Sequence, residues 1–218
     1  MPSCAYRHVV WDWNGTLLDD VDVCIDIMNG ILRRRGLPVM DRARYHEVFD
    51  FPVRDYYARL GFDHARDSFE GLSREFISAY DARRWECGLC PRARETLEAI
   101  GRAGLTQSVL SAYRMETLRE IVDHFGLTRH FIRLTGLDNI FAHGKTDLGR
   151  AWVAELGMPG REILMLGDTL HDLEVAREIG VDCILLATGH HPASRLRLQT
   201  DRVIADLSGL GAVPGLLA

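Results

Sequence analysis

From Pro91 onward the sequence alternates short apolar runs with stretches of helical spacing, and no other feature constrains the fold as much. Residues 106–110, 131–135, 162–166 and 182–187 read as strands. Between them, residues 92–102, 115–125, the stretch from Lys145 to Gly157, and 170–179 place apolar side chains three or four apart, as helices do. Strand alternating with helix is the pattern of a doubly wound parallel sheet, an α/β fold. Residues 202–205 and a short helix add a last edge element. An earlier strand, residues 7–12, is too uniformly apolar to have an exposed face, so it belongs at the centre of that sheet.

Between this first strand and Pro91 the texture is different. Asp19 or Asp20 can cap a helix running through Val21, Ile25, Met28, Ile31 and Leu32 and ending near Gly36. Helical patterns follow at 42–49, 52–60 and 65–84, separated by breakers, and no strand pattern is evident. Residues 17–89 therefore read as an all-helical insertion, and residues 1–16 with 90–218 as a discontinuous core. A chain of 218 residues accommodates one such domain with a modest insertion.

A net charge of −5 gives no footprint for nucleic acid, and no apolar run is long enough to span a membrane. Without a secretory signal the expectation is a cytoplasmic protein whose partner is a small molecule, with neither nucleic acid nor membrane involved; the sequence is silent on oligomeric state. The 5 cysteines, odd in number and scattered, fit reduced thiols. Cys87-Gly-Leu-Cys90 has CxxC spacing, but a zinc site wants a second pair of ligands, so the spacing reads as coincidence. Of the 26 Lys and Arg residues only Lys145 is lysine. A compact ammonium at one position and guanidinium elsewhere is either a specific task there or the one lysine that a coding bias toward Arg left by chance.

In a doubly wound sheet ligands sit at the carboxyl ends of the strands. Three strands end in residues suited to chemistry: Asp12, Ser111, and Gly167-Asp168. Two carboxylates side by side are costly unless a cation bridges them, and Mg2+ suits hard oxygen ligands and a phosphate. The Asp12 carboxylate can then attack phosphorus and give an aspartyl-phosphate. Ser111, Lys145 and the backbone amides around Gly15 and Thr16 are placed to balance phosphoryl charge. Asp172, one helical turn beyond Asp168, can hold the metal's water shell or orient Lys145.

With these residues in view, the chain resembles the haloacid dehalogenase superfamily, in the phosphoglycolate phosphatase-like branch with a helical cap. The first motif of that family, DxDGT-L, is matched by Asp12-Trp13-Asn14-Gly15-Thr16-Leu17 except at Asn14. Its second-motif Ser falls on Ser111, its third-motif Lys on Lys145, and GDxxxD on Gly167-Asp168-Thr169-Leu170-His171-Asp172. The resemblance implies a Rossmann-like core and a Mg2+-dependent phosphatase of small phosphorylated metabolites. By it, Asp12 is the nucleophile, and Asp12, the Asn14 carbonyl, Asp168 and Asp172 hold the metal. Gly15, Thr16, Ser111, Ala112 and Lys145 meet the phosphate.

Asn14 departs from the family. Where it stands, the family's second Asp protonates the leaving group and then activates water, a contribution of about 10² to 10⁴-fold. Asparagine keeps the carbonyl but transfers no proton. The alternative reading is a weakened phosphate-binding or regulatory protein. Phosphonoacetaldehyde hydrolase shares the Trp after the nucleophile but needs a cap lysine, and residues 17–89 hold none. The dehalogenases have Tyr at this place and work without Mg2+, whereas GDxxxD is retained here. His171 or a cap carboxylate can substitute as the acid, though a surface role fits each individually better. In the cap, Arg54 can meet a substrate carboxylate or phosphate bidentately, or lie on a solvated face. The run Arg33-Arg34-Arg35 reads as a helix C-terminus, His190-His191 as a loop pair and Trp152 as core.

Overall fold

The structure, a computed structural model, describes residues 6–63, 65–138 and 144–216. In chain order its elements are β1 (His8–Trp11), β2 (Leu18–Asp19), α1 (Val21–Arg34), α2 (Arg42–Val48), α3 (Val53–Arg59) and α4 (Phe69–Arg83). Then come β3 (Gly88–Leu89), α5 (Ala93–Arg102), β4 (Thr106–Arg114), α6 (Met115–His124), β5 (Arg133–Leu137) and α7 (Lys145–Leu156). The chain ends with β6 (Ile163–Gly167), α8 (Leu170–Ile179), β7 (Asp182–Leu186), α9 (Ala193–Leu196) and β8 (Val203–Ile204).

Six of these strands form one parallel sheet in the order β5-β4-β1-β6-β7-β8. All of β1 is buried: Val9 and Trp11 enter one apolar layer and Val10 the other. That is why its sequence carries no polar alternation, and burying an apolar side chain of this size contributes about 1.5–3 kcal/mol. His8, also in β1, is satisfied internally, with Nδ1 2.7 Å from Thr106 Oγ1 and Nε2 2.7 Å from Ser108 Oγ. The buried Trp152 donates to the same Ser108 hydroxyl, at 2.9 Å.

The strand order reverses at β1, which pairs with β4 on one side and β6 on the other. Trp11 is level with Val109 and with Leu166. The residues that follow, Asp12, Ser111 and Asp168, consequently gather at one sheet edge, the crevice where such sheets bind ligands.

The stretch 17–89 is not free of strands, contrary to the sequence expectation. Leu18 pairs with Leu89 and Asp19 with Gly88, antiparallel, where the insertion leaves and rejoins the core. Two residues cannot display a period of two, and the partner lies at the far end of the insertion, so local patterning carries no trace of the pair. β4 also runs past Ser111 to Arg114, with an irregularity between Leu110 and Arg114 that carries Ser111 through the sheet edge. The arginine run ends α1 as read: Arg34 and Arg35 bind Glu75 of α4 at 2.7 Å, tying the two helices together.

Candidate active site

Strand ends and helix starts contribute the members of a buried cluster. Asp12 leaves β1, Lys145 opens α7, and Asp168 and Asp172 flank the start of α8. Lys145 Nζ donates to Asp12 Oδ1 and to Asp172 Oδ1, both at 2.6 Å. Carboxylate oxygens of Asp12, Asp168 and Asp172 lie within 4.8 Å of one another.

Asp172 is held by the turn that starts its helix. Thr169 caps α8 by accepting from the Asp172 N–H, and Asp172 Oδ2 accepts from the Thr169 N–H at 3.0 Å and its hydroxyl at 2.7 Å. Asp168 is fixed by the Thr16 hydroxyl, 2.9 Å from Oδ1, and by the His190 backbone N–H, 2.6 Å from Oδ2. Gly15 makes room for it: at φ +72, a Cβ there would lie 2.3 Å from Asp168 Oδ2 and 2.6 Å from His190 Cδ2.

Burial, with Asp172 and Asp168 close by, outweighs Lys145 and pushes the Asp12 carboxyl up to about 8. Burial likewise raises Asp168 to about 6. For Lys145, burial opposes the charge, but Asp12 and Asp172 override it and hold the ammonium protonated. Three carboxylates facing one ammonium leave negative charge uncompensated in a dry site. A divalent cation with a preference for hard oxygen ligands fits this donor set, and Asp12, Asp168 and Asp172 are the residues placed to hold it.

Asn14 belongs to a second network, one that the sequence did not reveal. Its Nδ2 donates to Asp20 Oδ2 at 2.8 Å and to the Tyr80 hydroxyl at 2.9 Å, and that hydroxyl donates to Asp20 Oδ2 at 2.7 Å. Asp20 sits at the N-cap position of α1, yet it caps nothing with its side chain. Its carboxylate turns back into the site, accepting from the Gly15 N–H at 2.9 Å and meeting His190 Nε2 at 3.3 Å. Burial would raise the Asp20 carboxyl, but His190, Asn14 and Tyr80 hold it below its ordinary value. Burial would equally lower His190, and the ion pair with Asp20 prevails, lifting it to about 9. His190 Nδ1 is 2.7 Å from the Tyr45 hydroxyl.

The structure revises one expectation directly. The His190-His191 pair is buried, and His190 is built into the site; nothing local distinguishes it from a loop pair. The Gly15 N–H bonds Asp20 and the Leu18 carbonyl, the Thr16 N–H the Trp13 carbonyl and the Thr16 hydroxyl Asp168, so these two residues also orient Asp20 and Asp168. Arg54 lies 3.6 Å from Glu70 and over the ring of Phe69, which lines the cavity. Ser111 and Ala112 do line it, with Asp12, Asn14 and Lys145. His171 also lines it, its ring against Phe51 at 4.7 Å, and burial holds it below the ordinary histidine value. Cys87 and Cys90 are buried free thiols, and burial pushes Cys87 up to about 12, which suits neither a thiolate nucleophile nor a metal ligand.

The cavity above the cluster has a volume of about 190 Å³ and lies between the strand ends and the helical insertion. A parallel sheet with an aspartate after its central strand, a lysine opening one helix and an acidic pair opening the next defines a hydrolase of the haloacid dehalogenase type. The sequence model of the haloacid dehalogenase-like hydrolases matches residues 9–186, and this chain belongs to that family. It is 31% identical to a 5'-nucleotidase of Pseudomonas aeruginosa, over 97% of this chain and 96% of that one. It is 26% identical to a phosphoglycolate phosphatase of Agrobacterium fabrum, over 92% and 89% of the two chains. Among solved structures, a haloacid dehalogenase-like hydrolase from Streptococcus pneumoniae superposes with a TM-score of 0.80 at 19% identity, covering 97% of this chain and 99% of that chain.

Proposed function

We propose that the protein is a Mg2+-dependent phosphatase that hydrolyses a small phosphorylated metabolite through an aspartyl-phosphate on Asp12, with residues 17–89 acting as the cap that closes over the substrate. The observation that carries this reading is the Asp12 carboxylate, bound by Lys145 at 2.6 Å and facing a cavity beside Asp168 and Asp172. Relatives named as a nucleotidase and a phosphatase support it.

In the first step an Asp12 carboxylate oxygen attacks phosphorus, and the bond to the leaving oxygen breaks with its electron pair going to that oxygen. Lys145 sits against both Asp12 and Asp172, holds the nucleophile in position and offsets charge on the phosphoryl oxygens. Ser111 and Ala112 border the phosphate. Water then attacks the phosphorus, releasing phosphate and regenerating the carboxylate. When bound by Asp12, Asp168, Asp172 and the Asn14 carbonyl, the divalent cation supplies positive charge to the transferring group. Asn14 donates its amide to Asp20 and Tyr80 and has no proton to transfer. That observation favours a second reading, a site that binds phosphate but turns over slowly.

Phosphate release from a panel of small esters, with and without Mg2+, separates the two. The expected outcome is Mg2+-dependent release that falls at least about 10³-fold in Asp12→Ala. No release at any Mg2+ concentration, together with stabilisation by phosphate and Mg2+ in a thermal melt, would replace the first reading by the second.

A further inference from the structure

We propose that the ester cleaved here carries an aromatic leaving group, making the substrate a small aryl phosphate; this rests on the phosphatase reading above. Two independent observations converge on it.

The first is the wall of the cavity beyond Asp12. Phe49, Phe51, Tyr56, Phe76, Tyr80 and Tyr113 line it. Phe76 and Tyr80 stack at 6.1 Å with their planes 22° apart, and Tyr113 meets Tyr80 edge-on at 5.7 Å. The Tyr80 hydroxyl is spent on Asp20 and that of Tyr56 on Met40, leaving ring surface for a ligand. The whole cavity, from Asp12 to this wall, has about 190 Å³, against roughly 150 Å³ for an apolar cavity that holds one benzene ring, which limits the leaving group to a single ring. Tyr113 adds a polar anchor, since its buried hydroxyl has no hydrogen-bond partner. Of the cations among the described lining residues, Lys145 is bound by Asp12 and Asp172 and His190 by Asp20, while Arg114 is half-exposed, its Nε on Thr117 and its guanidinium 3.9 Å from Asp81. A second phosphate or a carboxylate on the leaving group would enter a slot walled mostly by aromatic rings.

The second observation is Asn14. Asn14 gives the leaving oxygen no proton, which suits an oxygen that departs as an anion, and a phenol, with a pKa of about 10, does so far more readily than an alcohol. The P–O bond to the ring oxygen breaks, the electron pair stays on the phenolate, and the phenolate takes its proton from water after release.

The test uses the full chain with Mg2+ and four esters: phenyl, benzyl and ethyl phosphate and 2-phosphoglycolate. Benzyl phosphate has the ring but leaves as an alkoxide, so it separates ring recognition from leaving-group reactivity. The expected result is a kcat/KM for phenyl phosphate at least about 100-fold above that for ethyl phosphate, and a KM for benzyl phosphate about tenfold below that for ethyl phosphate. Ethyl phosphate or 2-phosphoglycolate turned over as well as phenyl phosphate would overturn the proposal while leaving the phosphatase reading intact. Should no ester be cleaved, the phosphatase reading fails and calorimetry decides the slot: phenylphosphonate binding about tenfold tighter than methylphosphonate upholds it, and equal affinities overturn it. Phe76 is only partly buried, so Phe76→Ala with a normal thermal melt should narrow the phenylphosphonate preference and Phe76→Tyr should retain it.

Discussion

Asn14 and Asp20 are intelligible only as a pair. An Asp at position 14 would lie at hydrogen-bond distance from the buried Asp20 carboxylate, and two such groups cannot both ionise without a shared proton. The amide avoids that conflict by donating where a carboxylate would repel. Asn14→Asp alone is therefore expected to lower the melting temperature and to add little activity. The exchange Asn14→Asp with Asp20→Asn restores a single carboxylate, and its activity on ethyl phosphate should exceed that of either single variant by about tenfold or more. Kinetics and melts of the four proteins check this; strictly additive effects would show that the two side chains do not act together.

At the level of elements, the start of α8 does two jobs. Its capping box closes the helix and also fixes Asp172, whose other oxygen receives Lys145. Thr169→Ala removes the cap and one of the hydrogen bonds to Asp172. The expected cost is about 1 kcal/mol in a denaturation series, together with a fall in activity out of proportion to that loss. Thr169→Ser, which keeps the hydroxyl, should recover both. The start of α1 shows the converse. Asp20 occupies the cap position, but its side chain serves the site, and the charges that complement the ends of that helix are Asp22 in its first turn and Arg33 and Arg34 in its last.

Across the whole molecule, stability should depend on pH through histidines buried in the core. Burial pushes His8 down to about 4, and His191 likewise to about 4. Both lie below the unfolded value, so the unfolded chain takes up protons first as pH falls. Their contribution is complete above pH 6.5 and is lost between 6.5 and 4, up to about 3 kcal/mol for His8. His190 works in the opposite sense: with its folded value near 9, the stability of its pair with Asp20 is present below 6.5 and declines as pH rises through 9. Asp12 and Asp168, raised to about 8 and about 6, titrate in the sense opposite to His8 and His191, so the histidine share is read by comparison: in urea, the midpoint difference between wild type and His8→Asn should be smaller at pH 5 than at pH 7.5. No described helix is long and apolar enough to cross a membrane.

What was legible in the sequence follows from local physics. The doubly wound sheet was readable because a strand buried on both faces must be apolar throughout and a helix must repeat every three or four residues; β1, β6, α7 and α8 all announce themselves in this way. Asp12, Lys145, Asp168 and Asp172 stood out because strand ends and helix starts are where a parallel sheet puts its chemistry. Folding alone decided the rest. Asp20, Tyr45, Tyr80 and His190 come from a helix cap, the insertion and a late loop, and each has an ordinary structural use where it stands. The commitment of Gly15 and Thr16 to neighbouring carboxylates, the pairing of Arg54 with Glu70 and the aromatic wall of the cavity belong with them. Such roles arise from contacts between residues far apart in the chain, and no local pattern records which distant side chain will complete a buried hydrogen bond.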